Sequence, residues 1–156
     1  MKEIPTYELD KYLKDVKPGQ LDEYFKKNSE YMANAKKSFS YYMKDVIAKK
    51  NINLGKRKIK LKDIYLLAGV SESYGEKVMN MTSHSTNRDL IIRFCVAGRF
   101  GLDEVNRALK LYGMSPLYSK NKRDACIIVA INNRKYDLFD IDDMLEQQGL
   151  EKLSKD

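Results

Sequence analysis

Residues 61–80 read LKDIYLLAGVSESYGEKVMN, and this stretch decides the fold class. Leu61, Ile64, Leu67 and Ala68 recur at helical spacing and stop at Gly69, a residue suited to a tight turn. Ser71 or Ser73 can open the next helix, and Ser73-x-x-Glu76 fits a capping box; this second helix should run to Asn80. Ile64 and Ala68 before the glycine, then Val70 and Val78 after it, let the second helix pack back on the first. The segment is therefore expected to be two short helices bent about Gly69, with one flank of the second left for solvent.

Working outward, Phe39, Tyr42, Met43, Val46 and Ile47 form a helical stripe from Ser38. Asn51 to Gly55 reads as a turn. Asn87 is a good cap for a helix through LIIRFCVAG, and Leu102, Val105, Leu109 and Tyr112 line a further helix that Gly113 ends. The run from Ala125 to Ile131 is continuously apolar, so periodicity cannot separate helix from strand. Helix is expected, because a lone strand would leave its backbone groups unpaired. Leu138, Ile141 and Leu145 give a last short helix before Gly149. Toward the N-terminus, Thr6 caps a helix TYELDKYLKD, Pro18-Gly19 breaks the chain, and Leu21, Tyr24, Phe25 and Asn28 mark a second helix that Met32 and Ala35 could extend. No internal repeat is read. The expected class is all-α.

The chain of 156 residues suits one ordinary core, and its 43% hydrophobic and 33% charged residues describe a folding sequence. No stretch approaches the ~20 apolar residues of a membrane span and the N-terminus lacks a signal-peptide core, so a cytoplasmic location is expected. Cys95 and Cys126 lie in apolar runs and read as buried, reduced thiols. The net charge of +7 is concentrated: Lys49, Lys50, Lys56, Arg57, Lys58, Lys60 and Lys62 occur within 49–62 without an acid. Residues 137–156 carry a net charge of −5. A dense basic segment attracts polyanions through counterion release.

Chemistry-bearing residues are otherwise sparse. His84 is the sole histidine, and no nucleophile, base or metal constellation emerges; no enzyme activity, cofactor or metal is expected. Asp140, Asp142 and Asp143 lack the glycine and glutamate of an EF-hand loop. Arg88-Asp89 and Arg123-Asp124 repeat a pair at helix starts, where aspartate suits the helix dipole.

The Ala68-Gly69-Val70-Ser71 turn and the helices around it resemble the lambda-repressor-like, or Xre-type, helix-turn-helix family. The resemblance covers about residues 38–113, where helices 38–50, 61–68, 72–80, 87–98 and 101–112 match a five-helix order. Asn87-Arg88-Asp89 looks like the opening of its fourth helix, and LYSKNKRDACIIVAINN like an extension associated with Xre-type proteins. The resemblance implies three parts: an N-terminal helical extension (1–37), a helix-turn-helix domain (38–113) and a C-terminal helical extension packed on it (114–156). It further implies a bacterial or phage DNA-binding regulator of transcription, a homodimer on double-stranded DNA, with 72–80 as recognition helix. Ser73, Tyr74, Lys77 and Asn80 would then face base edges, and Lys56, Arg57, Lys58 and Lys62 the phosphates. Either extension could receive a protein partner.

Four positions depart from the family pattern. Tyr65 stands where a small residue is usual and Gly75 where a branched one is, so a large residue facing a small one could conserve volume. Leu61 and Glu72 replace the glutamines that often open both motif helices, and Glu72 would repel phosphate. The alternative is a protein-interaction module that keeps this fold without sequence-specific DNA reading.

Overall fold

The structure, a computed structural model, describes residues 10–11, 13–27 and 37–154. The chain divides into two compact units, Met1–Ala35 and Lys36–Asp156. In the first, Pro18–Gln20 form a 3-10 turn that runs directly into α1 (Leu21–Lys27), so Pro18-Gly19 begins a helical element as well as ending the one before. Gln20 Oε1 accepts the Lys17 N–H at 3.0 Å, and Tyr24 is buried. Residues 6–9 and 12 of the expected helix from Thr6, together with Asn28, Met32 and Ala35, lie outside the described residues.

The second unit holds α2 (Ser38–Asn51), α3 (Leu61–Leu67), α4 (Glu72–Met79), α5 (Arg88–Ala97), α6 (Leu102–Leu111), α7 (Lys122–Asn132) and α8 (Leu138–Gln147), with no strand among the described residues. The bounds of α2 to α6 fall within a residue or two of the expected ones, and the apolar run 125–131 is helix, starting three residues earlier at Lys122. The α5 helix is the axis of the core: every residue from Leu90 to Ala97 is buried, as expected of a helix apolar nearly all round. Against it pack α3, α6 and α8, while α2 lies on α4 and α6. The one polar residue in that buried stretch, Arg93, sends Nε to the Ala68 carbonyl at 2.9 Å and Nη1 to the Leu153 carbonyl at 2.9 Å. One buried guanidinium thus joins the end of α3 to the C-terminal tail.

The turn between α3 and α4 is built as its glycine demands. Gly69 sits at φ +80°, the left-handed region a side chain rarely adopts. There Val70 N–H donates to the Tyr65 carbonyl at 3.1 Å and Gly69 N–H to the Leu66 carbonyl at 3.0 Å, the paired closure of a Schellman end. Ser71, not Ser73, caps α4: its Oγ accepts the Tyr74 N–H at 3.2 Å, and the expected Ser73–Glu76 box does not form because Ser73 already lies inside the helix. Tyr65 and Gly75 do face each other. A Cβ added to Gly75 would meet Tyr65 Cγ at 2.5 Å, so the tyrosine ring lies directly on the α4 backbone.

The C-terminal helices reveal a repeat that the sequence reading did not find. Arg88 grips Asp124 through both Nη atoms at 2.9 Å, while its Nε and Nη2 reach the Ser115 and Pro116 carbonyls at 3.0 Å. Arg123 grips Asp89 in the same way at 2.9 Å and reaches the Glu151 and Lys152 carbonyls at 3.0 Å. Asn106 Oδ1 accepts the Leu117 N–H at 2.8 Å, and Asp142 Oδ1 accepts the Leu153 N–H at 2.7 Å. The hairpins α5–α6 and α7–α8 are therefore two copies of one unit. Arg88, Asp89, Ile92 and Arg99 recur 35 positions later as Arg123, Asp124, Ile127 and Arg134; Leu109, Gly113 and Leu117 recur 36 later as Leu145, Gly149 and Leu153. Each arginine reaching the other copy's aspartate is the reciprocity of a two-fold relation, realised within one chain. Burial alone would raise the Asp124 carboxyl, but the hydrogen bonds from Arg88 and the Tyr118 N–H, with both guanidiniums nearby, hold it below the usual range.

Candidate functional site

The side chains expected to meet a ligand lie mainly on α4 and on the loop before α3. Gly75, Val78 and Met79 bury one flank of α4, and the other carries Glu72, Ser73, Tyr74, Glu76 and Lys77, all exposed. Tyr74 is 43% exposed. Among the described residues, the Ser73, Tyr74 and Lys77 side chains make no hydrogen bond or ion pair. This flank combines a hydroxyl, a phenol and an ammonium, with two carboxylates beside them.

Asn80 is placed differently. It is the C-cap of α4, and its Oδ1 accepts Lys44 Nζ at 2.6 Å and Ser40 Oγ at 3.4 Å, tying the end of α4 to α2. Bidentate reading of adenine needs both the oxygen and the NH2 group of an asparagine, so Lys44 must release the oxygen first. Lys44 is the cation the sequence reading missed. It lies 36 residues away from Asn80 in the chain, and nothing in the α2 stripe marks it.

The basic segment is a loop pinned at its two ends. Asn51 braces it at both lone pair and amide: Nδ2 donates to the Ile59 carbonyl at 2.7 Å and Oδ1 accepts the Ile59 N–H at 2.8 Å. Between these ends, Gly55–Arg57 form a 3-10 turn, leaving Lys56, Arg57 and Lys58 exposed. Lys62 is exposed in the first turn of α3, whose start is closed by the Lys60 N–H donating to Asp63 Oδ2 at 3.3 Å. Lys49 pairs with Asp45 at 2.9 Å, and Lys50 pairs with Glu104 at 2.8 Å with its ammonium over the Phe100 ring. The other five cations of the segment have no ion pair among the described residues.

The remaining candidates have structural partners. His84 stacks on Tyr112 with ring centroids 4.9 Å apart, and the Tyr112 hydroxyl accepts the Ser85 N–H at 2.9 Å. Asp142 accepts from the Leu153 and Ser154 N–H groups and the Ser154 hydroxyl, pinning the tail. Cys95 is buried and Cys126 half-buried; burial pushes the Cys95 thiol far up, so it stays protonated. Among the described residues, no three His, Cys, Asp or Glu side chains are grouped to hold a metal ion, and no helix is long and apolar enough to cross a membrane.

Comparison with known proteins adds no relative: no protein-family model, no curated protein and no solved structure matches the chain.

Proposed function

We propose that this chain is a DNA-binding regulator of the lambda-repressor-like, helix-turn-helix kind, acting as a homodimer with α4 in the major groove. The observation that carries the reading is α4 itself. It is short, capped by Ser71, anchored through Gly75, Val78 and Met79, and it offers Ser73, Tyr74 and Lys77 to solvent with no intramolecular bond to give up. A helix so mounted suits groove insertion. Lys77 would meet a guanine edge or phosphate, Tyr74 a thymine methyl, and Ser73 either base or backbone. Lys56, Arg57, Lys58 and Lys62 would hold phosphates. Asn80 would join only by exchanging its bond from Lys44. The contacts between α5–α6 and α7–α8 are intramolecular, so the proposed dimer would use other surface.

A second reading, a protein-interaction module with this fold, is favoured by two features. Leu66 and Leu67 on α3 are 76% and 59% exposed, and Glu72 opens α4 with a charge that repels phosphate. Fluorescence anisotropy with random-sequence duplex DNA across a salt series separates the two. A DNA binder weakens steeply as salt rises, and neutralising Lys56, Arg57 and Lys58 together lowers the log–log slope by up to about three. Absence of binding at low salt rejects the regulator and leaves the interaction module.

A further inference from the structure

We infer that a cleft beside α3 is a binding site for a small anionic amphiphile, a carboxylate or sulfonate on an apolar body. The cleft has a volume of about 860 Å³, within the roughly 300–1,000 Å³ of small-ligand sites. Three cations from separate segments meet there: Lys58 from the basic loop, Arg99 from the end of α5 and Arg134 from the end of α7. None of the three side chains has a hydrogen bond or ion pair among the described residues. Ile59, Leu67 and Leu138 give the cleft apolar walls. Two acids also line it, Asp63 and Asp137, but each already accepts a backbone N–H, from Lys60 and Phe139. Both carboxylates keep their charge, so the three cations leave the cleft lining with a net charge of about +1, and it is the cations that have no partner among the described residues.

The backbone places the two arginines at equivalent helix ends. Arg99 and Arg134 sit at φ +60° and +56°, the left-handed conformation that closes their helices. The helices α3, α6 and α8 close with glycine in that conformation, at Gly69, Gly113 and Gly149, and α4 with Met81 at φ +59°. An L side chain is strained there relative to glycine. The repeat places arginine at this strained position in both copies, and both side chains line the same cleft. A structural closure needs no side chain at either position, whereas an anion site needs both guanidiniums.

The site does not depend on whether the chain binds nucleic acid, and it is tested without DNA. The probe is anilinonaphthalene sulfonate, titrated into the full chain and followed by fluorescence. Saturable binding is expected, weakened roughly tenfold by the double variant Arg99→Gly with Arg134→Gly, as two charge-assisted contacts are lost. Glycine fits the left-handed conformation, so the thermal midpoint of the variant should equal or exceed that of the parent chain. Decanoate should displace the probe and decylammonium should not. Unchanged probe affinity in the folded double variant, or equal displacement by the cationic amphiphile, overturns the assignment.

Discussion

Gly75→Ala puts two physical effects of opposite sign in competition. On helix propensity alone, replacing glycine by alanine inside a helix stabilises by about 1 kcal/mol. The packing opposes it. The new Cβ would lie 2.5 Å from Tyr65 Cγ, 2.6 Å from Cδ1 and 2.9 Å from Tyr65 Cβ. These atoms are the root of a buried ring, not the tip of a mobile chain, and the ring is further held edge-on to Phe94 at 5.9 Å between centroids. Relief requires α4 to move away from α3, and overpacking of this kind typically costs about 1–3 kcal/mol. Packing should win, with Gly75→Ala destabilising by up to roughly 2 kcal/mol in urea unfolding at unchanged m-value. Combining Gly75→Val with Tyr65→Ala should recover part of the loss, giving a favourable coupling of about 1 kcal/mol or more in a double-mutant cycle. A net stabilisation by Gly75→Ala would refute the claim that Tyr65 rests on the α4 backbone.

Other consequences follow from the same contacts. Because Asp124 titrates below the usual carboxylate range when folded, its pairing stabilises fully above about pH 4 and is lost as the pH falls through the depressed folded value. Asp124→Asn should therefore lower stability at neutral pH and flatten the acid limb of a stability–pH curve; an unchanged acid limb would show that Arg88 does not hold this carboxylate. Arg93→Met keeps the bulk but strips the Ala68 and Leu153 carbonyls of their donor, and unsatisfied buried acceptors should lower stability by about 2–4 kcal/mol in chemical denaturation. A loss below about 0.5 kcal/mol would mean that water replaces the guanidinium there.

The sequence was legible where periodicity and turn chemistry agree. Helical spacing bounded α2 through α6 to within a residue or two, and Gly69 and Gly113 marked their ends by the conformation they adopt. The Tyr65–Gly75 exchange was also readable, since two positions that would face each other depart in opposite directions from the pattern of the family the sequence resembles. The duplicated hairpin was not, for a physical reason. A one-residue insertion between Arg134 and Asp137 shifts the offset from 35 to 36, and the conserved geometry rests on polar contacts with backbone carbonyls that tolerate any side chain at Ser115, Pro116, Glu151 and Lys152. The repeated Arg-Asp pair was visible as a pattern, but its crossing from one copy to the other exists only in three dimensions. Asn80 shows the same limit. Its amide looked free for a ligand because the partner, Lys44, arrives from a distant helix.

The central functional claim is that the exposed flank of α4 reads bases, and selection of bound sequences from a random duplex pool tests it most directly. The parent chain should enrich one motif, and Tyr74→Ala with Lys77→Ala should alter the preferred bases at particular positions of that motif. Enrichment of no motif by the parent chain, or an identical motif recovered at uniformly lower affinity by the variant, would contradict the account.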